Sequence, residues 1–146
     1  MDHSDNVPET KIENLTARFA ADPFARWLGI ILLELGRGYS RLAMELQPHM
    51  VNFLGIPHGG AIYSLADAAF AAAGNSHGRV AVALSMTINY RATVPPGTRL
   101  LAEAVEQSLG GRTGLYRITV TADDPQKSLV ALCDGTVYRK KELIGD

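Results

Sequence analysis

Hydrophobic and polar positions divide the chain into a polar start, a central alanine-rich run and a series of alternating segments. The alternation is clearest late in the chain. Over Val80–Arg91, Leu84, Met86, Ile88 and Tyr90 alternate with Ser85, Thr87, Asn89 and Arg91, the two-residue period of a strand. Tyr39–Leu46, Leu100–Ser108, Thr113–Thr121 and Ser128–Tyr138 read as further strands, separated by Pro95-Pro96-Gly97, Gly110-Gly111 and Asp123-Asp124-Pro125. Ala61–Gly74 has little β-branching and many small residues, which favours a helix, and its apolar character on both faces predicts an internal one.

Before these elements, a helix is expected from near Ile12, with Leu15 and Phe19 on it, ending at Asp22-Pro23. Phe24, Trp27, Leu28 and Ile30 then form a short apolar element whose expected role is packing, and Gly36-Arg37-Gly38 breaks the chain before the first strand. The predicted order is leader, helical elements, strand, central helix and four strands. That order fits an α+β domain in which one helix covers a largely antiparallel sheet, and it does not fit a doubly wound nucleotide fold. The expected organisation is a leader and helical segment over 1–24, the main domain over 25–141 and a short tail over 142–146.

With 146 residues there is room for one core but not for two large domains. Fourteen basic against 15 acidic residues leave a net charge of -1, so no overall positive field points to nucleic acid or an anionic membrane. The single cysteine, Cys133, excludes a disulfide within the chain, and His3, His49, His58 and His77 are dispersed without metal-ligand spacing. Neither metal nor cofactor is expected. Met1–Thr10 lacks a secretory pattern and the central apolar run is shorter than a membrane span, so a cytoplasmic setting is expected. Gly55-Ile56-Pro57-His58-Gly59-Gly60 lacks the lysine and hydroxyl residue of a phosphate-binding P-loop.

Asp67 is the anomaly of the central run, because an unpaired charge is costly to bury. It reads either as a catalytic carboxylate, nucleophile or general base, or as a hydrogen-bonded structural or interface acid. Gly59 and Gly60 precede the helix, where free backbone N–H groups and the helix dipole stabilise negative charge; turn formation alone also accounts for them. In a continuous helix, eight residues separate Gly59 from Asp67 by roughly 12 Å, too far for one compact site in one chain. A symmetric dimer brings Asp67 of one protomer beside Gly59 of the other.

The order Asn52-x-x-Gly55-x-x-His58-Gly59-Gly60-x6-Asp67, with the long strand and Pro95-Pro96-Gly97 after it, resembles the PaaI-like branch of the hotdog thioesterase superfamily over roughly Ala25–Arg139. The resemblance implies a curved antiparallel sheet wrapped around a central helix, assembled as a homodimer or a dimer of dimers. It implies hydrolysis of acyl-CoA thioesters at subunit interfaces. Asp67 is then the nucleophile or the base, and the Gly59 N–H polarises the carbonyl. Asn52 lies near the thioester or its water, His58 shapes the entrance and positions substrate, and Ser85 orients water.

Gly60 joins Asn52 and His58 as an expected substrate contact, and Arg91 and Arg112 are expected at the CoA phosphates. Arg79, Arg117, Arg139 and Lys140 are further basic residues within that class. The expected substrate is a small, medium or aromatic acyl-CoA, with a noncatalytic acyl-CoA-binding or structural protein as the alternative.

Overall fold

The computed structural model describes residues 9–145; the first eight positions of the expected polar leader, including His3, lie outside the described residues. The chain begins with α1 (Glu9–Ala20) and α2 (Pro23–Leu28), followed by β1 (Ile31–Gly36) and β2 (Tyr39–Glu45). After a loop come α3 (Gly59–Asn75), β3 (Arg79–Tyr90), β4 (Arg99–Leu109), β5 (Thr113–Ala122) and β6 (Leu129–Leu143). The six strands form one antiparallel sheet in the order β1-β2-β4-β5-β6-β3. The α+β reading therefore holds.

Two expectations need correction. A strand, β1, precedes β2 where only an apolar element and a glycine break were read; Ile31–Leu35 is apolar at nearly every position, so it shows no two-residue period. Phe24 and Trp27, expected to pack, are 56% and 70% exposed, while Leu28 and Ile30 are buried. Asp22 explains the start of α2: its carboxylate accepts from Phe24 N and Ala25 N, each at 3.0 Å, with Pro23 in the first turn. β6 also runs beyond Tyr138 to Leu143, and Ile144 is buried with its N–H on Gly78 O.

One face of the sheet is apolar and packs on α3, as a one-sided antiparallel sheet requires. Leu42 and Met44 of β2, Leu100, Ala102 and Ala104 of β4, and Tyr116, Ile118 and Val120 of β5 are fully or almost fully buried. They form one core with Leu65, Ala66, Ala69, Phe70 and Ala73 of α3. The small residues let helix and sheet approach closely: a Cβ on Gly135 of β6 would lie 2.8 Å from the Phe70 ring. Phe70 meets Tyr116 edge-on at 5.9 Å between centroids, and the buried Ser40 hydroxyl donates to Ala69 O at 2.6 Å. The long axis of α3 is thereby fixed on the sheet.

Candidate active site

The loop before α3 is folded by its own polar groups. Asn52 Oδ1 accepts from Leu54 N at 2.9 Å and from Ile56 N at 3.4 Å, while Asn52 N donates to Ile56 O. The side-chain oxygen of Asn52 therefore builds the loop, and its amide N–H groups have no acceptor among the described residues. His58 then caps α3: its Nδ1 accepts from Gly60 N at 2.9 Å. That bond requires an unprotonated Nδ1 and occupies the Gly60 N–H. Gly59 differs, since its N–H has no acceptor among the described residues.

Tyr90, at the end of β3, holds the Gly59 peptide from the other side. Its hydroxyl donates to Gly59 O at 2.9 Å, and burial raises the Tyr90 pKa above its ordinary value, which keeps the donor protonated. A Cβ on Gly59 would stand 3.2 Å from the ring and hydroxyl of Tyr90, so this position tolerates little beyond glycine. Asn52, Gly59, Tyr90, Pro57 and Val94 line a small cavity of about 170 Å³. Gly59 in its lining carries a backbone N–H at the positive end of a 17-residue helix.

Asp67 belongs to a different cavity. Gly60, Tyr63, Asp67 and Ala71 are the exposed positions of the first four turns of α3 and recur at three- and four-residue spacing, so they share one face. The carboxylate has no hydrogen-bond or ion-pair partner among the described residues, and burial beside its neighbours raises its pKa above the ordinary 3.8. It lines a cavity of about 490 Å³ between α3 and the pair α1 and α2. α3 is continuous from Gly59 past Asp67, so the roughly 12 Å expected between them along the helix axis holds.

The sequence-predicted residues thus fall into groups. Asn52 and Gly59 share one cavity, Asp67 lines the other, and His58 and Gly60 are bonded to each other at the helix start. Ser85 is exposed on β3, beside an irregularity in its pairing with β6, and lines neither cavity. Arg91 follows the Gly59 end of β3, whereas Arg112 lies at the other end, where Arg79 Nη1 donates to Gly111 O and Arg139 N donates to Arg112 O. The ends of this 12-residue strand are roughly 35 Å apart. Sequence reasoning missed Tyr90 as the support of Gly59 and Leu15 and Phe19 as cavity walls; these contacts cross 31 or more positions and leave no local signal.

A family description of the thioesterase superfamily matches residues 54–129. The acyl-coenzyme A thioesterase PaaI of Escherichia coli is 35% identical over 87% of this chain and 89% of its own length. The structure of the E. coli PaaI protein from the phenylacetic acid degradation operon superposes with a TM-score of 0.87 at 34% identity, covering 93% of this chain and 98% of that one. A mutant structure of the phenylacetic acid degradation protein PaaI from Thermus thermophilus gives a TM-score of 0.77 at 42% identity, over 82% of this chain and all of the other. A Streptococcus mutans protein bound to acetyl CoA gives 0.72 at 27% identity, over 76% of this chain and 88% of its own. With its antiparallel sheet around a central helix and this degree of identity, the chain belongs to the thioesterase superfamily, in the PaaI-like branch of the hotdog fold.

Proposed function

We propose that this chain is an acyl-CoA thioesterase whose active site is shared between two protomers, with Asp67 from one and Gly59 from the other. Water is added across the C–S bond of the thioester: the acyl carbon receives hydroxyl to give a carboxylic acid, and the sulfur leaves as the thiol of CoA. The observation that carries this reading is the division of one chemistry between two cavities. Among the described residues, a carboxylate without a partner lines the larger one, and a backbone donor without a partner stands at the smaller one, on the same helix but roughly 12 Å away.

The roles follow from the groups. The Gly59 N–H lies where the thioester oxygen gains negative charge, and Asp67 attacks the carbonyl carbon or removes a proton from the attacking water. Asn52 offers its amide N–H groups to the substrate or that water, and Ser85 orients the water. His58 acts by fixing the start of α3, and Gly60 lets that ring pack against the helix start beside the substrate, since a Cβ there would lie 3.0 Å from His58 Nδ1. An antiparallel pairing of two β3 edges places Arg91 of one protomer toward the Arg112 end of the other, so both fit the phosphates of one CoA. A dimer or dimer of dimers in the cytoplasm accommodates this arrangement, and the acyl group is small, medium or aromatic.

Thiol release from a panel of acetyl-, medium-chain, long-chain and aromatic acyl-CoAs tests the proposal. Native turnover is expected to fall by about 10²–10⁴-fold in Asp67→Asn and Asp67→Ala, with folding and assembly kept. Saturable binding of acyl-CoA without thiol release by the native chain overturns the hydrolytic reading. Undiminished turnover in both variants overturns the role of Asp67.

A further inference from the structure

The larger cavity has unequal walls. On the α3 side, between Tyr63, Ser64, Asp67 and Asn75, it presents Ala68, Ala71 and Ala72, which occupy little volume. The bulk comes from the other side, from Leu15 and Phe19 of α1 with Phe24 and Ile30 beyond it. Leu15 and Phe19 are four positions apart and therefore lie on one face of α1, both half-buried, and Phe19 packs against the core. Their positions are set by packing.

Most polar groups in this lining are already occupied. Ser64 Oγ donates to Gly60 O at 2.7 Å, Asn75 Nδ2 donates to Ala71 O and Ala81 O, and Asp22 accepts from two backbone N–H groups of α2. A guest in the cavity meets mainly hydrocarbon, with Asp67, Arg18 and the Tyr63 hydroxyl as the remaining polar groups. The volume of about 490 Å³ falls among those of small-molecule sites, roughly 300–1,000 Å³. α1 lies outside residues 54–129, the segment that the superfamily description matches.

We infer that Leu15 and Phe19 of α1 form the end wall of the acyl pocket and set the length of acyl group that the chain accepts. The inference rests on the thioesterase reading for the identity of its guest. Removing volume at either position lengthens the pocket, and adding volume at Phe19 shortens it.

The test uses S-alkyl-CoA thioethers, which lack the scissile carbonyl, in a series from ethyl to dodecyl. Their affinities are measured by titration calorimetry on the native chain and on Leu15→Ala, Phe19→Ala and Phe19→Trp, each checked for a cooperative melt. In the native chain, affinity rises with alkyl length up to a break. Leu15→Ala and Phe19→Ala are expected to move the break to longer chains and Phe19→Trp to shorter ones, changing the long-to-short affinity ratio at least about tenfold.

A break common to all four proteins, a parallel loss at every length, or no thioether binding by the native chain overturns the inference. If Phe19→Ala fails to fold, the opposite shifts of Leu15→Ala and Phe19→Trp decide. Thiol release from acyl-CoAs is scored separately. A moving break without native turnover sinks the hydrolase reading and keeps the pocket, whereas turnover with a fixed break does the reverse.

Discussion

At the scale of residues, Asp67 combines a cost in stability with the chemical role proposed for it. Because burial raises its pKa, the folded chain still holds the proton at pH values where the unfolded chain has released it. Stability therefore declines as pH rises from the unfolded value of 3.8 through the folded value, and stays lower above it. Asp67→Asn carries no charge in either state and escapes that decline. Its melting temperature is expected to exceed that of the native chain at neutral pH, with the gap closing as pH falls below 3.8 in a calorimetric series. On the proposed mechanism the native kcat/KM is expected to run the other way and to fall as pH drops through the raised pKa, since the carboxylate is then the working form. Asp67 was legible because an acid in an alanine run needs a reason. The different fates of Gly59 and Gly60 were not, since they depend on the ring of His58 taking one N–H and leaving the other.

At the scale of elements, α3 is held at its start by three side chains that come from the preceding loop and the following strand. Asn52 folds the loop, His58 caps the helix, and Tyr90 reaches from the end of β3 to Gly59 O. Tyr90→Phe deletes one hydrogen bond while keeping the ring that stands against Gly59. Stability is expected to fall by about 0.5–1.5 kcal/mol, measured by urea denaturation. Turnover is expected to drop more than CoA-ester binding, because Gly59, whose N–H is the proposed oxyanion donor, loses the hydrogen bond that holds its carbonyl. Equal stability and turnover in the variant would remove Tyr90 from the site. The helix and five of the six strands could be read from periodicity and breakers. β1 could not, because it forms a sheet edge where apolar residues on both faces erase the alternation, leaving Ile31 58% and Leu33 38% exposed.

At the scale of the whole molecule, the chain leaves unpaired the features that a second copy would pair. Among the described residues β3 is a 12-residue edge strand bonded only to β6, with Val82 and Leu84 42% and 60% exposed, and a long apolar edge is a template for another strand. The face of α3 that carries Tyr63, Asp67 and Ala71 is open as well. If two copies join about a two-fold axis, each dimer holds two sites, and each site takes Asp67 from one protomer and Gly59 from the other. Subunit mixing tests this directly. Asp67→Asn and Gly59→Val are prepared as separate inactive proteins, the valine crowding the ring of Tyr90, and are then exchanged at equal concentration. A mixed dimer has one site with both defects and one with neither. Random exchange makes half of the dimers mixed, so roughly a quarter of native turnover is expected to return. A site built within one chain gives no such recovery, because every site then carries one defect, and mixing leaves the activity at the sum of the two inactive proteins.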